Sequence, residues 1–144
     1  MHYNEPILRE KLKTLNESGR LLNREETFTA RIYVGFLDTE KELTYSPASV
    51  SRICQDYVEE EGLCVNIQET SYHYGSEGEG GSEPGAVVEL IHYPRFPLRQ
   101  PQETVTVRAL DLAEKLMAEL HQKRVSVVTS DDTYTLQNPG HSEI

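Results

Sequence analysis

Hydrophobic and polar residues alternate from Thr27 to Leu37. Phe28, Ala30, Ile32, Val34 and Phe36 share one side, while Thr29, Arg31, Tyr33 and Gly35 share the other. A period of two over that length predicts a half-buried β-strand. Leu63–Tyr74 predicts a second, since Leu63, Val65 and Ile67 alternate with Cys64, Asn66 and Gln68. Ala86–Ile91 is almost continuously apolar, the pattern of a central strand covered on both faces. Val125–Val128 predicts a fourth strand, and Thr133–Leu136 a short edge strand beyond a turn at Asp131-Asp132.

Elsewhere the apolar period lengthens to that of a helix. Ile7, Leu8, Leu12 and Leu15 predict a helix within residues 4–22, closed by Gly19. Ser46-Pro47 supplies an N-cap and a first-turn proline. Val50, Ile53, Cys54, Tyr57 and Val58 then follow at i, i+3, i+4, i+7 and i+8, and Gly62 ends the helix. Thr104 is the expected cap of a third helix, with a stripe through Val105, Ala109, Leu112, Ala113, Leu116, Met117 and Leu120. Residues 75–85 are rich in glycine and glutamate and are expected to form a flexible acidic loop. They do not read as a phosphate loop, because no GK[ST] follows. Pro94–Pro101 reads as an extended connector.

The predicted order is α, β, α, β, β, α, β with a further edge strand. It matches the ferredoxin-like split β-α-β plait, an α+β fold with both plait helices on one sheet face and the first and third strands central. A rearranged α+β sandwich is the alternative. The plait is expected over residues 27–136, after an N-terminal helical extension (1–26) and before a flexible tail (137–144).

Within the first strand, Ile32-Tyr33-Val34-Gly35-Phe36-Leu37 resembles the first-strand motif of RNA-recognition-motif domains. Those domains share the plait and stack bases on aromatics of two central strands. The resemblance covers six residues and implies the plait. The companion motif would place a basic residue, a glycine and alternating aromatics on the third strand. That strand reads Pro84-Gly85-Ala86-Val87-Val88-Glu89-Leu90-Ile91, with neither stacking aromatic and an added negative charge. Base stacking is therefore not expected.

The alternation assigns side chains to the sheet face opposite the helices. Arg31, Tyr33, Gln68, Tyr72, Tyr74, Glu89, Ile91 and Tyr93 are expected there, although a one-residue slip between the second and third strands would reverse part of the set. A tyrosine-rich, partly apolar face is expected to be covered, by another copy or by a ligand. The candidate ligand or interface residues are Arg31, Tyr33, Gln68, Tyr72, Tyr74 and Tyr93. Arg95 and Arg99 in the connector are anion-binding candidates.

Charge narrows the partners. The chain has 144 residues, with 24 acidic against 14 basic and a net charge of -10. Phosphate backbones and anionic membranes attract Lys and Arg, so neither direct nucleic-acid nor membrane binding is expected. Homo-oligomerisation, a small anionic ligand, or a basic protein surface are the expected partners. No apolar run approaches the ~20 residues of a bilayer span, and Met1–Pro6 lacks the start of a signal peptide. A cytoplasmic location is expected.

Candidate chemistry changes the picture little. Cys54 lies on an apolar stripe and reads as a buried thiol, with a Cys54–Cys64 disulfide as the other reading. Neither cysteine has zinc spacing, and His73 and His92 are expected at opposite ends of a strand pair, so no metal is expected. No G-x-S-x-G or H-E-x-x-H occurs, and no cofactor or catalytic residue is expected. The main expectation is a non-catalytic, oligomeric binding module, regulatory or sequestering, for a small anionic or nucleotide-like ligand. The alternative is an acidic inhibitor or adaptor that masks a basic surface on a partner. A small plait-dimer enzyme is the third reading, since fold alone does not decide function.

Overall fold

The alternation of the first strand reappears as burial. In the computed structural model, β1 (Thr29–Gly35) buries Ala30, Ile32 and Val34 and exposes Arg31. The structure describes residues 5–22, 24, 28–38, 43–91 and 102–139. Around β1, in chain order, lie α1 (Glu5–Glu17), β2 (Leu37–Asp38), β3 (Leu43–Thr44), α2 (Pro47–Glu61), β4 (Val65–Ser76), β5 (Glu79–Ile91), α3 (Gln102–Glu119), β6 (Arg124–Thr129) and β7 (Thr133–Gln137). The fold is α+β, with three helices and a five-stranded sheet.

The strand order is β4-β5-β1-β6-β7 and every neighbouring pair is antiparallel. β2 and β3 form a separate two-stranded ladder. Register sets which side chains share a face. Ala30 sits opposite Leu90, Ile32 opposite Val88 and Val127, and Val34 opposite Ala86. These residues meet Val50, Ile53, Cys54 and Tyr57 of α2 and Val105, Ala109, Leu112, Ala113, Leu116 and Met117 of α3 in one core. α2 and α3 are also tied to each other. Tyr57 Oη donates to the Arg108 carbonyl at 3.3 Å, and the Arg108 guanidinium pairs with Glu61.

The helix ends follow local chemistry. Gly62 takes a left-handed φ of 70° and its N–H donates to the Val58 carbonyl at 2.9 Å, the arrangement that glycine permits at a helix end. Ser46 occupies the N-cap of α2, but its side chain makes no capping bond. α1 is shorter than the expected 4–22 segment. Past Glu17 the chain turns, and the Arg20 N–H donates to the Leu15 carbonyl at 2.9 Å. α1 buries no side chain. α3 begins at Gln102, so Thr104 lies inside the first turn instead of capping it.

The expected acidic loop at 75–85 is not a loop. β4 runs to Ser76 and β5 starts at Glu79, so only Glu77 and Gly78 turn, at φ 53° and 86°. Two positive φ values in succession mark a two-residue hairpin of type I′. The glycines that suggested looseness are paired, Gly75 with Gly80 and Gly81 with Tyr74. Ladder hydrogen bonds and tyrosine rings offset the entropy that such a stretch loses on ordering. β5 also differs from expectation in being fully covered on one side only, since Val87 and Glu89 on its other side are half-buried. No disulfide forms: Cys54 and Cys64 are both free, and burial pushes the Cys54 thiol up to about 12. No described helix is long and apolar enough to cross a membrane.

Candidate functional site

Three adjacent cross-strand rows of side chains run over the middle of the open sheet face. Asn66, Glu89, Arg31, Val128 and Thr133 form one row, and Gln68, Val87, Tyr33, Ser126 and Thr135 form the next. The third begins with Thr70, Gly85 and Gly35. Two glycines side by side lower the face at that point. A glycine inside a strand commonly marks close approach by another group.

The approaching groups come from both sides. The Tyr72 ring lies over Gly85: a Cβ added to Gly85 would stand 2.3 Å from Tyr72 Cε2 and 2.5 Å from the Val34 carbonyl oxygen. Tyr72 Oη donates to the Ala86 carbonyl at 2.7 Å, which fixes the ring. Glu83 lies directly across from Tyr72 in the β4–β5 ladder and brings its carboxylate over Gly35. Gln122, in the turn between α3 and β6, reaches the same spot. A Cβ on Gly35 would lie 2.8 Å from Glu83 Oε1 and 3.1 Å from Gln122 Oε1.

Gln122 is the one polar residue in the buried class among the described residues. Its Nε2 donates to the Leu37 carbonyl at 3.1 Å and to the Leu120 carbonyl at 2.8 Å. Two carbonyl acceptors require the amide nitrogen on that side, so Oε1 must point toward Gly35. Tyr72 is polarised differently. Burial pushes its phenol up to about 12, the Val34 backbone pulls the other way, and Tyr33 and Glu83 add to the rise. The phenol therefore stays protonated at neutral pH, as a donor and an apolar wall, and does not act as a base.

The structure divides the expected site residues. Tyr72 belongs to this constellation, and its pKa links Tyr33 to it. Arg31 is held elsewhere. Its Nε donates to Glu89 Oε2 at 2.6 Å, and this hydrogen bond is the first cause of its raised pKa. Four residues of strand separate Arg31 from Gly35, about 13 Å at the usual rise. Gln68 faces the open side in the Tyr33 row but two strands away. Tyr74 stands exposed on the outer part of the β4–β5 hairpin. Tyr93, Arg95, Arg99 and His92 lie outside the described residues. Glu83, Gly35, Gly85 and Gln122 are additions from the structure. Gly35 interrupts an apolar-aromatic alternation, which is a sequence signal of close approach. Gln122 has no such signal, because only tertiary packing buries it.

No family model matches the chain, and no curated protein does. Two solved structures share its fold. One is a phage SAM lyase in the apo state, with TM-score 0.68, 20% identity, and coverage of 85% of this chain and 99% of that chain. The other is a phage SAM lyase in complex with S-methyl-5'-thioadenosine, with TM-score 0.64, 20% identity and the same coverage. These neighbours overturn the expectation of a non-catalytic binding module, because both are enzymes. That expectation rested on the lack of nucleophile motifs in the sequence.

Proposed function

We propose that this chain is a lyase for a sulfonium nucleoside of the S-adenosylmethionine type, releasing S-methyl-5'-thioadenosine. The observation that carries the reading is the Tyr72–Glu83 cross-strand pair packed over Gly35 and Gly85, on a fold shared with the two phage lyases. An aromatic ring, a carboxylate and an amide pack together over the two glycines, the mixture that holds a cationic nucleoside. Read on the same basis, the strand order β4-β5-β1-β6 is that of the ferredoxin-like plait, with β7 added at one edge.

The chemistry asks for orientation more than for reactive groups. Breaking the bond between sulfur and the four-carbon unit leaves both bonding electrons on sulfur, so the cationic sulfonium departs as a neutral thioether. The carbon it leaves is taken by the substrate's own carboxylate, which closes a five-membered ring. No proton moves and no water enters. A protonated Tyr72 suits that course, and so does a site that holds the substrate folded on itself. Glu83 supplies the negative charge that selects a cation. A cytoplasmic location belongs to the same proposal.

Purified protein incubated with S-adenosylmethionine is expected to convert it to S-methyl-5'-thioadenosine, followed by chromatography. Glu83→Gln is expected to lower kcat/KM at least tenfold, the scale of one charge-assisted contact. Intact substrate with folded wild-type protein would overturn the reading. An unchanged Glu83→Gln variant would remove Glu83 from the site.

A further inference from the structure

Gln122 presents a problem that the lyase reading does not solve. It is 7% exposed, its amide nitrogen is used twice, and its Oε1 has no donor among the described residues. A buried acceptor without a partner keeps its desolvation penalty uncompensated, so such groups in folded proteins call for an explanation. The oxygen does not point into an apolar void. It converges with Glu83 Oε1 on Gly35, where both lie within about 3 Å of the position a Cβ would occupy. Two acceptors meet there, one of them charged, and glycine alone leaves room for both.

A ligand that satisfies this pair must bring hydrogen-bond donors, and positive charge to match the carboxylate. A sulfonium has the charge but no hydrogen to give. An adenine amine has hydrogens but no charge. An ammonium has both, with three donors to distribute. We infer that Gln122 Oε1 and Glu83 together bind the α-ammonium group of the substrate's amino-acid end, which makes Gln122 a specificity-determining residue.

The inference rests on the lyase reading and sharpens it. The sulfonium loses its charge as the bond breaks, so a carboxylate placed against sulfur would stabilise the ground state more than the transition state. The ammonium keeps its charge throughout. A carboxylate placed there anchors the substrate without opposing the reaction. It also fixes one end of the four-carbon unit whose carboxylate must fold back on itself.

The test uses the full chain and ligands that cannot be cleaved. S-adenosylhomocysteine carries the ammonium but no sulfonium, its desamino analogue lacks the ammonium, and S-methyl-5'-thioadenosine lacks the whole amino-acid end. In calorimetric titrations the wild type is expected to prefer S-adenosylhomocysteine over the desamino analogue by about tenfold or more. Gln122→Met is expected to erode that preference while changing S-methyl-5'-thioadenosine affinity by less than about twofold. With S-adenosylmethionine, KM should rise more than kcat falls. Gly35→Ala provides a second route: it leaves the two Gln122 donor bonds in place and displaces the Glu83 carboxylate, the flexible end of a side chain. It should reproduce the same loss of preference even where Gln122→Met fails to fold. Equal losses for S-adenosylhomocysteine and S-methyl-5'-thioadenosine, or a preference unmoved by both variants, would overturn the inference alone. A folded wild type that binds none of the three nucleosides would remove the lyase reading, and the inference with it.

Discussion

Tyr72 is legible as an open-face residue because the two-residue parity set by Leu63, Val65 and Ile67 extends to it along the strand. Its role is not legible, because its ring acquires meaning only from what lies under and across from it. Gly85 lies beneath and Glu83 opposite. Its raised pKa has a measurable consequence. The phenol binds its proton more tightly folded than unfolded, so its contribution to stability is fully present below about pH 10. That contribution is lost as pH rises toward about 12. Cys54 behaves in the same direction from its ordinary value of 9.0. Thermal unfolding in reducing buffer is therefore expected to be flat from neutral pH to about pH 9, then to fall. Cys54→Ala should remove the onset between about pH 9 and 10, and Tyr72→Phe should remove part of the steeper loss above pH 10. A melting temperature constant to about pH 11.5 would show that neither group is buried as described.

At the scale of elements, the β4–β5 hairpin is half legible. Its two ends carry the pattern of strands, while its glycine-rich middle carries the composition of a loop. Composition reports how much freedom a segment has to lose, and says nothing about the partner that compensates the loss. In this hairpin the partners are the opposite strand and the tyrosine rings. The two site glycines should respond differently to a methyl group. At Gly85 the added Cβ meets the Val34 backbone as well as the Tyr72 ring, and a neighbouring strand cannot yield. Gly85→Ala is expected to destabilise the protein by about 2 kcal/mol or more, the range of overpacked cores. At Gly35 the Cβ meets only the ends of the Glu83 and Gln122 side chains. Gly35→Ala should cost less than about 1 kcal/mol. Paired denaturant titrations measure both, and a similar cost at the two positions would contradict the difference between a backbone neighbour at Gly85 and side-chain ends at Gly35.

At the scale of the molecule, the outer part of the hairpin, Tyr72 to Glu83, has ladder partners only within itself, because β5 meets β1 from Gly85 onward and the Pro84 carbonyl still accepts the Phe36 N–H at 3.1 Å. It extends past the end of β1 with Tyr74 62% exposed, beside the edge strand β4. We propose that copies of the chain assemble through this arm, since an unpaired edge and an exposed aromatic are both surfaces that proteins cover. Light scattering of the wild type is expected to report a closed oligomer, and Tyr74→Glu a monomer or a weaker assembly. An unchanged mass would exclude Tyr74 from the contact. The net charge of -10 bears on solubility and on which partners are repelled. It does not bear on catalysis, and taking it as the sign of an acidic docking protein gives it more weight than its physics supports.

While it read residues 75–85 as a loop and showed no sign of β2 and β3, the sequence alone determined the three helices, the alternating faces of β1 and the inner part of β4, and the absence of a run able to span a bilayer. These depend on periodicity and composition, which act along the chain. Tertiary structure decided the site. Tyr72 and Glu83 face each other only through a hairpin register, Gly35 and Gly85 adjoin only across two strands, and Gln122 arrives from the far end of α3. None of these relations is a spacing that a linear motif could hold. They are cross-strand distances, set when the core on the other face of the sheet closes.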